Sequence, residues 1–354
     1  MALGLAGAAT VVPNVPPYSG TVAATVPPLY PAGSAQTDYV GSGFIPEIWS
    51  GKLIEKFYAA TVLAAISNTD YEGEIKSYGD RVKIRQKPTL QINNYLVGGD
   101  LSLQRPVGNF IELTIDQGKY FAAILDDVIE KQSDINNLSI WADDASEQMK
   151  ITVDTDVLTF ILNAAAPANS GATAGVISGN INLGTSAAPL STVGRNPTTG
   201  QVEIIDVILR LGQALDEYNI PETGRWVVMP TWATFQLKRS ELREVFVSGD
   251  QVSILRNGRF GQVDRFVIYA SNLLPNGTAA GLGAGVYPIY AGHAHGLTFA
   301  SQLTNVETIR SERTFGQILR GLQVYGRQVL ASNPSIPAGQ SEALAQALVT
   351  QGGP

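Results

Sequence analysis

Apolar residues return every three or four positions between Leu138 and Ile161: Leu138, Trp141, Ala145, Met149, Val153, Val157 and Ile161. That spacing places them along one side of an α-helix. Asp143, Asp144, Glu147, Lys150 and Asp154 fall largely between them, so the other side is expected to meet solvent or a polar neighbour. At about 1.5 Å rise per residue the predicted helix is roughly 35 Å long, a length suited to a structural axis. The stripe drifts from a strict heptad and no second segment matches it, which argues against a coiled coil.

A period of two governs Arg81 to Lys87, where basic and apolar side chains alternate, and Asn109 to Asp116, where Ile111, Leu113 and Ile115 share a face. Both segments are predicted strands. Antiparallel pairing would set Arg81, Lys83 and Arg85 against Glu112 and Asp116, with Lys87 further along the same ribbon. The link from Pro88 to Gly108 is too long for a tight turn, so the ribbon is expected to project with an irregular tip. Two strands alone are marginal and ask for support from another chain. A sheet edge carrying an ornamented loop is the alternative.

Elsewhere, Trp49, Leu53 and Phe57 carry a helical period towards Ile66. Val202, Ile205, Ile208, Leu209, Gly212 and Leu215 predict a second amphipathic helix, stopped at Asn219-Ile-Pro221. Trp226 to Met229 reads as a buried strand, Pro230-Thr231 as the start of a helix to Leu242, and Arg265 to Tyr269 as another strand. Asn257-Gly258 is a turn signal. Gln317 to Leu330 suggests strands around Gly321 and Gly326, and Pro334 and Pro337 open a tail. Helix, strand, helix and strand together imply an α/β or α+β domain. Residues 1–43 hold six of the 19 prolines and only one charge, Asp38, as expected of an arm that is either free or ordered by neighbouring subunits. Pro167 to Gly200 is almost wholly Ala, Gly, Ser, Thr, Asn and Pro with Arg195 as its one charge, which predicts a surface insertion or flexible loop.

Composition narrows the function. The 354 residues are 16% charged with a net charge of -7, so the chain is not expected to clamp nucleic acid by bulk electrostatics. The absence of cysteine removes disulfides, thiol nucleophiles and cysteine-ligated zinc. No run is long and apolar enough for a membrane helix, and no Lys or Arg precedes Lys52, so no membrane or export signal is expected. Nucleotide-binding, hydrolase, zinc-protease and calcium motifs are missing. The cluster from Gly281 to Gly285 precedes a strand-like segment, whereas dinucleotide binding wants a strand before and a helix after. His293 and His295 lack a nearby carboxylate to complete a metal site. Asp126 with Asp127, Asp143 with Asp144 and Asp154 with Asp156 are better read as solvated faces than as an acid and base in one cleft. Arg310, Arg313, Arg320 and Arg327 form a sparse basic series that could touch a phosphate, an acidic subunit or only solvent.

Taken in order, Phe44-Ile-Pro-Glu-Ile-Trp49, the strand Tyr78 to Ile84 with its return at Ile115 to Gln117, the long helix, Gly258 to Val267 leading to Ser271-Asn272, and Gly321 to Gly326 resemble a tailed-bacteriophage major capsid protein of the HK97-like fold. The resemblance covers most of residues 44 to 331. It implies an α+β fold with an N-terminal arm at 1–43, a first part of the peripheral domain at 44–72, and an extended ribbon, the E-loop, at 73–118. The peripheral domain with the spine helix and the insertion would occupy 119–199, the axial domain 200–300, returning peripheral strands 301–333, and a C-terminal tail 334–354. The spine core would be Leu138, Trp141, Met149, Val153, Val157 and Ile161; the intersubunit ribbon would carry Arg81, Lys83, Arg85, Lys87, Glu112 and Asp116. By the same resemblance the chain is a structural protein with no catalytic, cofactor or metal site. Its partner is itself, in pentamers and hexamers of an icosahedral shell around double-stranded DNA bound without sequence specificity, with portal, scaffold and decoration proteins as further partners. The shell would be made in the host cytoplasm and end in the virion. Arg265 departs from the glycine often found there, and the 167–200 insertion has no obvious counterpart. The alternatives are an encapsulin-like compartment, a surface-layer protein and, third, an enzyme.

Overall fold

A computed structural model describes residues 58–72, 81–88, 90–133, 137–240, 262–277 and 280–352, all within one compact unit, Ile54–Pro354. The arm expected over 1–43, the entry from Phe44 through Phe57 and the turn at Asn257-Gly258 lie outside the described residues.

Four antiparallel strands make one sheet in the order β1-β2-β10-β9: β1 Arg81–Arg85, β2 Phe110–Asp126, β10 Gly316–Val329 and β9 Leu297–Arg310. Strand β2 has two roles. Phe110 to Thr114 pairs with β1, and Ile115 to Asp126 pairs with β10. The ribbon and the sheet therefore share one uninterrupted strand across the boundary expected near residue 118. Strand β10 likewise runs straight through Gly321 and Gly326. At Gly321, which faces Phe121 across the ladder, an added Cβ would lie 2.2 Å from the phenyl ring, so glycine makes room for the aromatic.

The second sheet has seven strands in the order β4-β3-β11-β8-β5-β7-β6. They are β3 Leu190–Val193, β4 Gln201–Glu203, β5 Arg225–Met229, β6 Gln262–Val263, β7 Phe266–Ala270, β8 Val286–His293 and β11 Leu344–Gln351. Two sequence expectations fail here. The segment from Pro167 to Gly200 is not a flexible loop: Ala174, Ile181, Leu183 and Leu190 are buried in the core of this sheet. Its small residues give no periodicity, yet it is pinned by paired backbone bonds between Ala174 and Ile181 and by the buried Asn169 amide, which donates to Glu342 O at 2.7 Å and Leu344 O at 3.1 Å. Nor is 334–354 a tail. Strand β11 is buried near the middle of the sheet, parallel to β3 and antiparallel to β8.

Helices follow the apolar pattern with shifts. Ile204–Glu217 buries Ile204, Ile208, Leu211 and Leu215 against the seven-stranded sheet, whereas Leu209, assigned to the stripe from sequence, is exposed. Val202 belongs to β4. Thr231–Arg239 buries Ala233 and Leu237 on the same core. Between β6 and β7, Asp264 and Arg265 have φ of 44° and 66°, as a two-residue hairpin turn of type I′ demands of both central positions. Arg265, where glycine was the alternative, is held there by Asp216 at 2.9 Å and Glu222 at 2.7 Å.

The long helix spans Asn137–Phe160. Its burial is graded. Val153 is buried, and Val157 and Leu158, with Ile161 just beyond, join Trp226, Tyr290, Leu297 and Val329 in a core shared by both sheets. Leu138 and Met149 are half-buried, and Trp141 is 37% exposed. Only the C-terminal half of the expected spine core is core; among the described residues nothing encloses the indole. Asp154 corrects the pattern in the other sense, because it is 1% exposed on the supposedly polar side.

Candidate functional site

The ribbon is built from alternation. In β1 and β2, Lys83 stands opposite Glu112 and Arg81 opposite Thr114. The charges do not simply match across the ladder: Arg81 reaches diagonally to Glu112 at 3.4 Å, while the Lys83 ammonium lies 4.7 Å from the centre of the Phe110 ring. Both members of the ion pair are well exposed, so it contributes under about 1 kcal/mol. Arg85 stands opposite Phe110, and Lys87 is exposed past the end of β1. Asp116 is not part of this set. It lies beyond the last β1 pair, beside the bulge at Tyr325/Gly326, where its charge acts on Tyr325 and Arg327.

Beyond the paired strands the tip has no regular structure. It is held by a reciprocal contact in which Gln104 Oε1 accepts from the Gln91 N–H at 2.9 Å and Gln104 Nε2 donates to Gln91 O at 2.6 Å. A turn closes the apex, with Gly99 N donating to Leu96 O at 3.1 Å and Gly98 at φ 84°. Around this frame Leu90, Ile92, Tyr95, Leu96, Val97 and Leu103 point outwards, Ile92 and Val97 more than nine-tenths exposed. Asp100 and Arg105 are the only charges between Pro88 and Gly108. Such a run of unburied apolar side chains marks a contact surface. Sequence reasoning found the arm but not its chemistry, since an aperiodic tip gives no face to read.

The long helix is tied to the four-stranded sheet by a carboxylate. Asp156 accepts from the Tyr325 hydroxyl at 2.8 Å and pairs with Arg327, whose guanidinium lies 4.7 Å from the Phe160 ring centre. Burial, with help from Asp116, pushes the Tyr325 phenol up to about 12. Burial pulls the Arg327 guanidinium down, and Asp116 opposes that. The rest of the basic series is also committed to protein contacts: Arg310 pairs with Asp127 at 2.5 Å, and Arg320 Nε donates to Glu307 at 2.6 Å, whereas Arg313 sits in the turn between β9 and β10. Tyr58 donates to Asp144 at 2.8 Å.

Of the carboxylate pairs noted in the sequence, Asp127, Asp144, Asp154 and Asp156 thus tie one element to another. His293 and His295 stack with ring centres 5.0 Å apart, and His293 Nδ1 accepts the His295 backbone N–H at 3.2 Å. Burial first, then His295 and Arg225, hold His293 below the ordinary histidine range despite an opposing backbone hydrogen bond at Thr223. Among the described residues no group of three His, Cys, Asp or Glu side chains is placed to hold a metal, and no helix is long and apolar enough to cross a membrane.

The family model described as phage capsid protein matches residues 111–336. Among solved structures, one from Mycobacterium phage Che8 is similar at a TM-score of 0.65 and 24% identity, over 86% of this chain and 97% of that one. The capsid structure of cyanophage P-SCSP1u gives 0.63 at 14% identity, over 87% and 94% of the two chains. The mature capsid of bacteriophage PhiM1 gives 0.59 at 16%, over 87% and 92%. At these identities the structural likeness is one of fold. No curated protein sequence matches.

Proposed function

The chain belongs to the phage capsid protein family, and from that premise we propose that the ribbon Arg81–Thr114 and its apolar tip are the element by which one subunit grips the next. The fold is the α+β, HK97-like capsid fold, and the protein is a structural major capsid protein of the virion. Its partners are copies of itself.

The observation that carries the proposal is the tip: Ile92, Val97 and Leu103 are almost wholly exposed on a stretch, Pro88 to Gly108, with two charges. A subunit alone gains nothing from displaying them, whereas a neighbour covering them removes apolar surface from water at about 25 cal/mol per Å². Arg81, Lys83, Arg85, Lys87 and Glu112 then act as a polar rim to that contact. Copies joined in this way would close into pentamers and hexamers of an icosahedral shell around double-stranded DNA. The DNA is held by containment, as suits a chain of net charge -7. Portal, scaffold and decoration proteins would complete the particle, which is made in the host cytoplasm. In this scheme 44–72, 119–199 and 301–333 form the peripheral domain and 200–300 the axial one, the latter extended by β3 and β11.

Electron microscopy and sedimentation of the purified protein test the proposal. Closed particles are expected from the natural chain, and Ile92→Asp with Leu103→Asp should leave folded subunits that do not assemble. A natural chain that stays monomeric and is absent from virions would overturn it, as would normal particles from the doubly charged tip.

A further inference from the structure

We infer that Glu342 is a positioning residue for the ribbon, acting through the loop 331–340 that it folds; this rests on the ribbon being the element that reaches a neighbouring subunit. Strand β10 stops pairing with β2 at Gly326. From there towards the tip, Phe110 to Glu112 has β1 on one side and, on the other, an open cleft of about 560 Å³ whose far wall is the 331–340 loop. Among the described residues one direct bond crosses it: Gln86, just past β1 on the tip side of the paired strands, donates through Nε2 to Ala331 O at 2.5 Å.

The residues just after Ala331 are fixed by a carboxylate that follows in the chain. Glu342, only 4% exposed, accepts at Oε1 from the Ser332 N–H at 2.6 Å, from the Asn333 N–H at 3.1 Å and from the Ser332 hydroxyl. The loop itself, with Pro334, Pro337 and Gly339 among small polar residues, has little apolar surface with which to fold. A buried carboxylate gathering several donors supplies that order instead. Glu342 is in turn anchored on both sides. Ser341 N donates to Ala164 O and Ser341 O accepts from Ala166 N, each at 2.9 Å, and β11 begins two residues later. A continuous connection therefore runs from the seven-stranded sheet through Glu342, Ser332 and Ala331 to Gln86. It braces the paired part of the ribbon against the body of the subunit.

Hydrogen exchange by mass spectrometry on dissociated, full-length subunits tests this. Glu342→Ala and Gln86→Ala should each speed exchange of ribbon peptides covering 81–87 and 109–114 by about ten-fold, with β5 and β8 unchanged. Because both act on one connection, the double variant should exchange no faster than Glu342→Ala alone. If Glu342→Ala does not fold, Glu342→Gln, which keeps the volume but weakens the acceptor, should give a smaller acceleration confined to the same peptides. Ribbon exchange at the natural rate in Gln86→Ala, or multiplied effects in the double variant, would overturn the connection whether or not particles form. Faster ribbon exchange in variants that still build normal particles would instead uphold the connection and count against the ribbon as the gripping element.

Discussion

Asp154 Oδ1 lies 2.8 Å from the backbone nitrogen of Leu63, so a carboxylate on the long helix caps the first turn of a short helix, Leu63–Ile66, 91 residues earlier. The Val62 N–H is shared by the same group, at 3.2 and 3.3 Å from its two oxygens. Burial is the larger influence and holds the Asp154 carboxyl above the usual aspartate range, against the lowering effect of these donors.

The sign of the pH effect follows. A carboxyl whose pKa is higher folded than unfolded binds its proton more tightly in the folded state, so its contribution to stability is fully present below the unfolded value and is lost as pH rises through the folded one. Melting temperatures of the natural protein and Asp154→Asn across mildly acidic to neutral pH should therefore converge at the neutral end or favour Asn, with the natural protein gaining relative stability on acidification. Asp154→Ala removes the cap and should cost about 1–2 kcal/mol.

Trp141 and Val157 share a sequence stripe but not an environment. Val157→Asp places a charge where exposure is 0% and should cost more than about 3 kcal/mol, or prevent soluble expression. Trp141→Asp should change subunit stability by under about 1 kcal/mol, as read by urea denaturation. If Trp141→Asp nevertheless abolishes particles, the indole belongs to an interface rather than to the fold.

Gly321→Ala forces its new methyl against the Phe121 ring and should destabilise the four-stranded sheet by about 1–3 kcal/mol. Pairing it with Phe121→Leu should recover part of the loss. A thermal-shift comparison of the single and double variants checks this, and simple additivity would show that the glycine is there for another reason.

Asp156→Ala removes the acceptor of both Tyr325 and Arg327, leaving two partly buried donors without it, and should cost about 2–3 kcal/mol in chemical denaturation. Arg327→Lys keeps the charge but loses the planar stacking over Phe160, and should cost about 1 kcal/mol.

What could be read from the sequence was whatever repeats. The alternation of Arg81 to Arg85 and Ile111 to Ile115 gave the ribbon pairing, and the three-and-four spacing gave the long helix nearly to the residue. Periodicity says which side of an element is apolar, not whether anything covers it, so Trp141 and Val157 looked alike. Pairs made by partners distant in the chain leave no such mark. Asp154 with Leu63, and Gln86 with Ala331, pass for ordinary polar positions until the fold brings them together. The stretch around Ala174 to Leu183 was missed because small residues bury little area each, and β11 because eight residues after a proline-rich loop resemble a frayed end.

Strand β11 should also be indispensable. Deleting residues 341–354 should yield insoluble protein by fractionation of expressing cells, whereas a dispensable segment would leave the subunit soluble. The position of β11 carries a consequence for timing. Among the described residues, the backbone hydrogen bonds of the sheet join β4-β3 on one side and β8-β5-β7-β6 on the other only through it. Translation delivers it after all of them, so a growing chain on the ribosome holds two unjoined half-sheets until residues 344–351 have emerged. A prematurely terminated polypeptide would then lack the joined sheet of a finished subunit, so the order of synthesis would itself sort truncated copies from complete ones.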